Sequence, residues 1–363
     1  MTIVEGSEKF VQDYVRYNIR RVLFIGAFII LVLLLFFVSL AAGTRDLSLS
    51  EVYGLFVDHI LGVRYDQGID YELWFDDNII WNYRVPRAIF AIVAGAGLSV
   101  AGAAMQSVMK NPLADPYTTG ISSGALLGVA MAMVLGFTAG SGGIDGYGTI
   151  LNALIFSMIP VVMIYALSPV MNKSPATLIL AGTAVSYLFS SITSILLVST
   201  DAATLHVVYR WQVGNMSDLS WDSVVLPFIV CLAGSIILMF LSNKLNLMSL
   251  DDKDSKALGL DSEKLRLVCL MVLSFMAASI ISFVGIIGFV GLIVPHMVRL
   301  VIGSDYRFVI PASVFFGAAF LLFCDIVSRS IDVSATIPVG VVTSLIGAPI
   351  FLCLIIRSRR EVW

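Results

Sequence analysis

Charge is what this sequence has least of. Only 13% of its 363 residues are Asp, Glu, Lys or Arg, and 58% are hydrophobic, whereas a soluble domain carries about 25% charged and 45–50% apolar residues. Lipid is therefore the solvent for most of the surface. The net charge of −3 says little about partners until the charges are placed. Histidine is scarce as well: His59, His206 and His296 are scattered and no H-E-x-x-H occurs, which excludes a zincin-type centre. Four cysteines, Cys231, Cys269, Cys324 and Cys353, lie far apart in apolar runs without ligand spacing, and read as small hydrophobes. No metal and no cofactor is expected in this chain. A G-x-x-x-x-G-K-[ST] loop is missing, so the chain is read as non-catalytic towards ATP. Carboxylates inside the apolar runs are nearly absent too. Asp325 alone sits clearly within one, and Arg329 four residues on suggests an intrahelical ion pair. A proton- or sodium-coupled transporter would place carboxylates at membrane depth, and an intramembrane enzyme would need paired catalytic groups there. Transport driven by another subunit fits better.

What is there is apolar length. A span needs about 20 apolar residues, and ten segments qualify: Val22–Ala42, Val85–Met109, Tyr117–Phe137, Thr149–Pro169, Thr177–Ser199, Asp222–Ser242, Lys264–Phe283, Ile286–Gly303, Phe308–Ser328 and Ala335–Ile356. Only Gly285 and Gly288 punctuate the seventh and eighth. Runs such as Ile29-Ile30-Leu31-Val32-Leu33 do not alternate, so the spans are helices and not barrel strands. The first exceeds the about 7–15 apolar residues of a signal peptide and is read as retained. The fold expected is an all-α membrane protein of ten transmembrane helices in residues 22–356, lying in the cell membrane. Residues 1–21, with Arg16, Arg20 and Arg21, form a cytoplasmic N-terminal segment, and 357–363 form a cytoplasmic tail.

Lysine and arginine set the orientation. With the N-terminus inside, sixteen fall on the cytoplasmic side and six outside: Arg45, Arg64, Arg84, Arg87, Arg210 and Arg329. An even number of spans also brings Arg357, Arg359 and Arg360 inside. Glycine and other small residues crowd Gly95-Ala96-Gly97, Ala101-Gly102-Ala103-Ala104 and Gly120–Ala125, where they let helix backbones approach closely. Residues 43–83 make a long acidic extracytoplasmic loop, within which Leu49–Leu61 has helical apolar spacing and suits an interfacial helix.

Three stretches carry more specific information. One runs from Tyr83-Arg84-Val85-Pro86-Arg87 to Met105-Gln106-Ser107-Val108-Met109-Lys110-Asn111-Pro112-Leu113-Ala114-Asp115-Pro116. Another is the polar segment 247–260, ending in Lys256-Ala257-Leu258-Gly259-Leu260. The third runs from Gly285–His296 to Ile337-Pro338-Val339-Gly340 and Gly347-Ala348-Pro349. In these the sequence resembles the FecCD-type permeases of type II ABC importers, which handle ferric siderophores, haem and cobalamin. The likeness covers nearly the whole chain and departs mainly in the longer first outer loop. It implies a homodimer of ten-span subunits, two cytoplasmic ABC ATPases that hold ATP and magnesium, an extracytoplasmic substrate-binding protein, and no nucleic acid. The cargo it implies first is an iron complex, a ferric siderophore, with cobalamin or haem as alternatives.

The resemblance also gives roles to particular residues. It implies that Arg84, Arg87 and Arg329 take carboxylates of the binding protein, a task that suits guanidinium groups; interfacial anchoring or pairing with the acidic loop is the plainer reading. Asn111 and Leu113 would belong to the cytoplasmic gate, where the plainer reading is an Asn-Pro turn. A second gate element is expected near Ser174–Thr177. The mixture of Asp251, Asp252, Lys253, Asp254 and Lys256 with Leu250, Ala257, Leu258 and Leu260 suits a short amphipathic helix in a partner's groove. The resemblance makes that partner the ATPase, with Ala257, Leu258 and Gly259 in the coupling contact.

Overall fold

The computed structural model describes residues 3–358 except 44, 46, 141–145, 172–173 and 332–336, with side chains between residues 15 and 356. The start of the tenth segment at Ala335, Lys173, residues 359–363, and the side chains of Lys9, Arg357 and Ser358 lie outside the described residues. Among those described, all regular structure is helical. The helices are α1 (Ile3–Ala41), α2 (Leu49–Ile60), α3 (Tyr71–Ile79), α4 (Val85–Val108), α5 (Ile121–Leu135), α6 (Tyr147–Leu167), α7 (Pro175–Val198), α8 (Ala202–Gln212), α9 (Trp221–Phe240), α10 (Ser242–Met248), α11 (Asp252–Ala257), α12 (Ser262–Val284), α13 (Val290–Ile302), α14 (Tyr306–Ser330) and α15 (Val339–Ser358). A π-helical turn at Ile80–Arg84 joins α3 to α4, and a 3₁₀ turn at Pro116–Thr119 precedes α5. We call the end bearing residues 43–83 the outer end and the end bearing 247–260 the inner end, after the charge bias.

Each of the ten apolar segments contains a helix, and among the described residues eight helices are long and apolar enough to cross a membrane. The other two, α5 and α13, have 15 and 13 residues, so at 1.5 Å per residue α13 reaches only about 20 Å. Their segments were expected to be longer. The shortfall of α13 has a local cause. Residues Gly285–Phe289 leave the helix, with φ of +74° at Gly285 and +70° at Phe289, and non-helical backbone at membrane depth needs partners within the protein. It finds them: Asn215 N–H donates to Val284 O at 2.8 Å, and the Tyr117 hydroxyl donates to Ile287 O at 2.9 Å. A Cβ at Gly285 would stand 1.8 Å from Trp211 O, so the crossing requires glycine.

Helix α4 is the axis of the bundle. It is apolar on every side and nearly all its residues are buried, as an all-round hydrophobic helix must be. Helices α9, α12, α13 and α14 surround it, brought close by glycine: a Cβ on Gly95 would lie 2.2 Å from Gly317 O, and one on Gly102 1.9 Å from Gly291 O. Helix α1 runs unbroken through both the polar segment ending at residue 21 and the first apolar segment. Near its inner end, Tyr17 and Arg21 donate to Ile302 O at 2.8 and 3.0 Å, which places donors on a terminal carbonyl of α13.

The outer loop is ordered by capping and by aromatic packing. Ser48 and Glu51 form a capping box at the start of α2, close to the expected Leu49–Leu61. Phe56 packs on Phe36 and Phe37 of α1. His59 stacks on Trp81 at 4.1 Å and bonds Asp77 at 2.7 Å, while the Trp221 indole donates to Trp81 O at 2.9 Å. Helices α3 and α8 had no forecast. Asp201 accepts from Ala203 and Thr204 N–H at 2.9 and 3.0 Å, an N-cap signal that was legible.

Candidate functional site

The outer arginines converge on a single feature. Asp325 on α14, with no solvent exposure, accepts from Arg87 Nε at 2.8 Å, and Arg329 lies 2.8 Å from its other oxygen. The expected Asp325–Arg329 pair is therefore present, but it is half of an Arg–Asp–Arg triad that joins α4 to α14. Arg329 also donates to Ser39 O, Ala42 O and the Ser39 hydroxyl at 3.1, 2.8 and 2.6 Å. Arg84 donates to Leu40 O, Ala41 O and Arg45 O at 2.7, 3.1 and 2.8 Å. Carbonyls at a helix C-terminus lack internal partners and carry partial negative charge, so these two guanidinium groups cap α1.

Arg84, Arg87 and Arg329 are thus buried, at 5, 9 and 6% exposure, and are engaged within the chain. They nonetheless line an outer cavity of about 160 Å³ together with Arg45, Tyr83 and Ser217. Arg45 pairs with Asp76, and with Glu72 at 2.5 Å, and these two carboxylates raise its already high pKa. The cavity therefore collects four cations, and carboxylates of the outer loop occupy part of their bonding capacity. Interfacial anchoring or pairing with that loop was the plainer expectation for Arg84, Arg87 and Arg329. Arg45 is the cation that makes that pairing, a role that its place in an irregular stretch gave no cue to.

At the inner end, Asn111 Oδ1 accepts from Leu113 N–H at 2.9 Å, an Asx turn that leaves Leu113 half exposed. Above it lies a cavity of about 260 Å³ lined by Gln106, Lys110, Asn111, Pro112, Arg299 and Tyr306. Gln106 donates to Leu292 O at 3.0 Å and accepts from Arg299. Ser174 caps α7, accepting from Thr177 N–H at 3.3 Å.

The segment 247–260, expected as one helix, is divided. Asp251 and Leu250 interrupt it, α11 covers only Asp252–Ala257, and the Ser255 hydroxyl ties it back to Leu247 O at 2.8 Å. Ala257 ends α11, and Leu258 and Gly259 form the following turn, with Leu258 60% exposed and Gly259 at φ +80°. An isolated leucine on a surface is unremarkable; Leu250 of the same segment is exposed as well, and the residues between them include the exposed Asp251, Lys253, Asp254 and Lys256.

Comparison with known proteins decides the family. The model of the FecCD transport family matches residues 30–357. This chain belongs to that family. A Methanocaldococcus jannaschii chain named as an ABC transporter permease is 35% identical over 97% of this chain and 99% of its own length. A hemin transport permease of Yersinia pestis is 34% identical, covering 78% of this chain and 84% of its own length. Others are named for iron chelatin, molybdate and cobalamin transport. A solved metal-chelate type ABC transporter, in an inward-facing conformation, superposes with a TM-score of 0.79 at 31% identity, covering 92% of this chain and 98% of its own. The chain is a multi-pass permease of the cell membrane.

Proposed function

We propose that this FecCD-family permease is the membrane-spanning subunit of an ATP-driven importer for an iron complex, a ferric siderophore, and that it works by alternating access as a homodimer. The family match over residues 30–357 carries the importer reading; the metal-chelate neighbour supports the cargo class. The names of the relatives also support haem or cobalamin as cargo. In this reading two cytoplasmic ATPases supply ATP and magnesium chemistry and a binding protein delivers cargo to the outer arginine cavity. Residues Ala257, Leu258 and Gly259 contact the ATPase, and Asn111 and Leu113 belong to the inner gate.

The test is reconstitution. Isolated permease should hydrolyse no ATP, and the assembled complex should couple hydrolysis to uptake. Leu258→Glu would set a charge in an apolar contact and should cut ATPase assembly or uptake about tenfold or more. Robust hydrolysis by the isolated chain would refute the division of labour.

Ten crossings with both termini inside make a second expectation. Cysteine placed at Asp70 should react with an impermeant reagent from outside, and cysteine at exposed Lys253 only after the membrane is opened. Labelling of both from one side would sink that topology. Docking needs care, because Arg84→Glu would also set a carboxylate against the α1 carbonyls. The informative comparison is binding-protein affinity at matched amounts of folded permease, with rescue by a reciprocal charge change on the binding protein.

A further inference from the structure

Lys110 follows the end of α4 in a backbone conformation that favours glycine. Its φ is +48°, and among the described residues it shares a left-handed φ with only one other non-glycine, Phe289. Its N–H donates to Ser107 O at 3.1 Å and that of Asn111 to Gln106 O at 3.1 Å. This is the wrap that closes many helices, with glycine the usual residue at the left-handed position. A lysine there is strained, so its side chain is the feature to explain.

That side chain points to the segment expected to meet the ATPase. Lys110 Nζ donates to Leu250 O at 2.5 Å and to Asp252 Oδ1 at 2.8 Å. Asp252 is the first residue of α11. Arg266 on α12, almost wholly buried at 1% exposure, donates to the same carboxylate at 3.3 Å and to Val108 O of α4 at 3.0 Å. One turn back, the Ser107 hydroxyl donates to Leu245 O of α10 at 3.0 Å. Both helices of the 247–260 region are thereby fastened to the last turn of α4, and the next residues along the chain are Asn111, Pro112 and Leu113.

We propose that Lys110 is a positioning residue for transport, a charged tie through which movement of α11 displaces the end of α4 and the Asn111–Leu113 turn. The proposal rests on the importer reading given above. Stability alone does not account for the arrangement: the pair is 22 and 44% exposed, and exposed pairs contribute little. The bond to Lys110, with Arg266 nearby, holds the Asp252 carboxyl below the usual carboxylate range. A depressed carboxyl stabilises the fold above its ordinary pKa and loses that contribution only as pH falls through the lowered value, so the carboxylate of the tie is charged at neutral pH.

The test uses the complex of permease, ATPase and binding protein in proteoliposomes, reading cargo moved per ATP hydrolysed. Lys110→Gly relieves the strained backbone and removes the tie, and Lys110→Met keeps the strain but removes the charge. Both should lower the ratio about fivefold, the size of an ordinary coupling between contacting groups. Lys110→Arg should keep at least about half of it, since charge and donors remain. The thermal midpoint of Lys110→Gly should not fall below that of the parent. A ratio within about twofold of the parent in both Lys110→Gly and Lys110→Met overturns the proposal. So does loss in Lys110→Gly alone, an Arg variant as poor as Met, or a loss that merely follows a lowered midpoint. Failure of the parent complex to show ATP-driven uptake would instead refute the importer reading, and is seen before any variant is made.

Discussion

Asp325→Ala should be the most damaging single side-chain truncation at the outer end, destabilising the permease by about 3–5 kcal/mol, the cost of breaking a buried ion pair by removing one partner. The carboxylate is fully buried and stands 2.8 Å from both Arg87 and Arg329. Removing it leaves two guanidinium groups without their shared anion. Neither can leave easily: Arg329 is anchored on Ser39 and Ala42, and Arg87 lies within the first turn of α4. Asp325→Asn should be milder, since an amide oxygen can still accept from Arg87 Nε while the charge is lost. Thermal unfolding in detergent, followed on the monodisperse fraction, measures both. An unchanged midpoint for Asp325→Ala would show that water or an external anion replaces the carboxylate through the outer cavity, and that the triad is not what joins α4 to α14.

That triad shows where reading the sequence stops. Asp325 and Arg329 share a helix at i,i+4, so their pairing was legible. Arg87 lies 238 residues away, and no local period brings it to α14. The same holds for Arg84 and Arg329 at the end of α1. Positive charge on the outer side was visible as an anomaly of composition, and its engagement with α1 carbonyls is a product of tertiary packing. The apolar segments were the most legible part, because lipid demands about 20 apolar residues whatever the packing. The exceptions are physical. Helices α5 and α13 fall short where backbone buried by neighbouring elements can leave the helix. Helix α8 is polar enough to pass for a loop, although Asp201 announced it. At the inner end the charges of 247–260 pointed to a surface helix. The partner of Asp252 is Lys110, whose left-handed φ no single sequence reveals.

Gly102→Val should come close to the Asp325 change in severity, by a different route. Hydrophobic burial does little to hold helices together in lipid; close van der Waals contact does it, and small residues provide the approach. The sequence placed Gly102 within a run of small residues but named no neighbour for it. In the structure a Cβ at this position would stand 1.9 Å from Gly291 O and 2.5–2.6 Å from the Gly291 carbonyl carbon and Cα. Those are backbone atoms, which cannot rotate aside as a side chain does, so α4 and α13 must move apart. Overpacking a filled core costs about 1–3 kcal/mol and occasionally more, and this site belongs at or above the top of that range. The separation would reach function as well, because Gln106, one turn along α4, holds Leu292 O and Arg299 of α13. Gly26→Ala in α1 is the matched control. Nothing lies within 4 Å of its Cβ position, and alanine is favoured over glycine in a helix by about 1 kcal/mol, so its midpoint should hold or rise. If Gly102→Val unfolds at the same temperature as Gly26→Ala, the α4–α13 crossing is looser than the geometry requires.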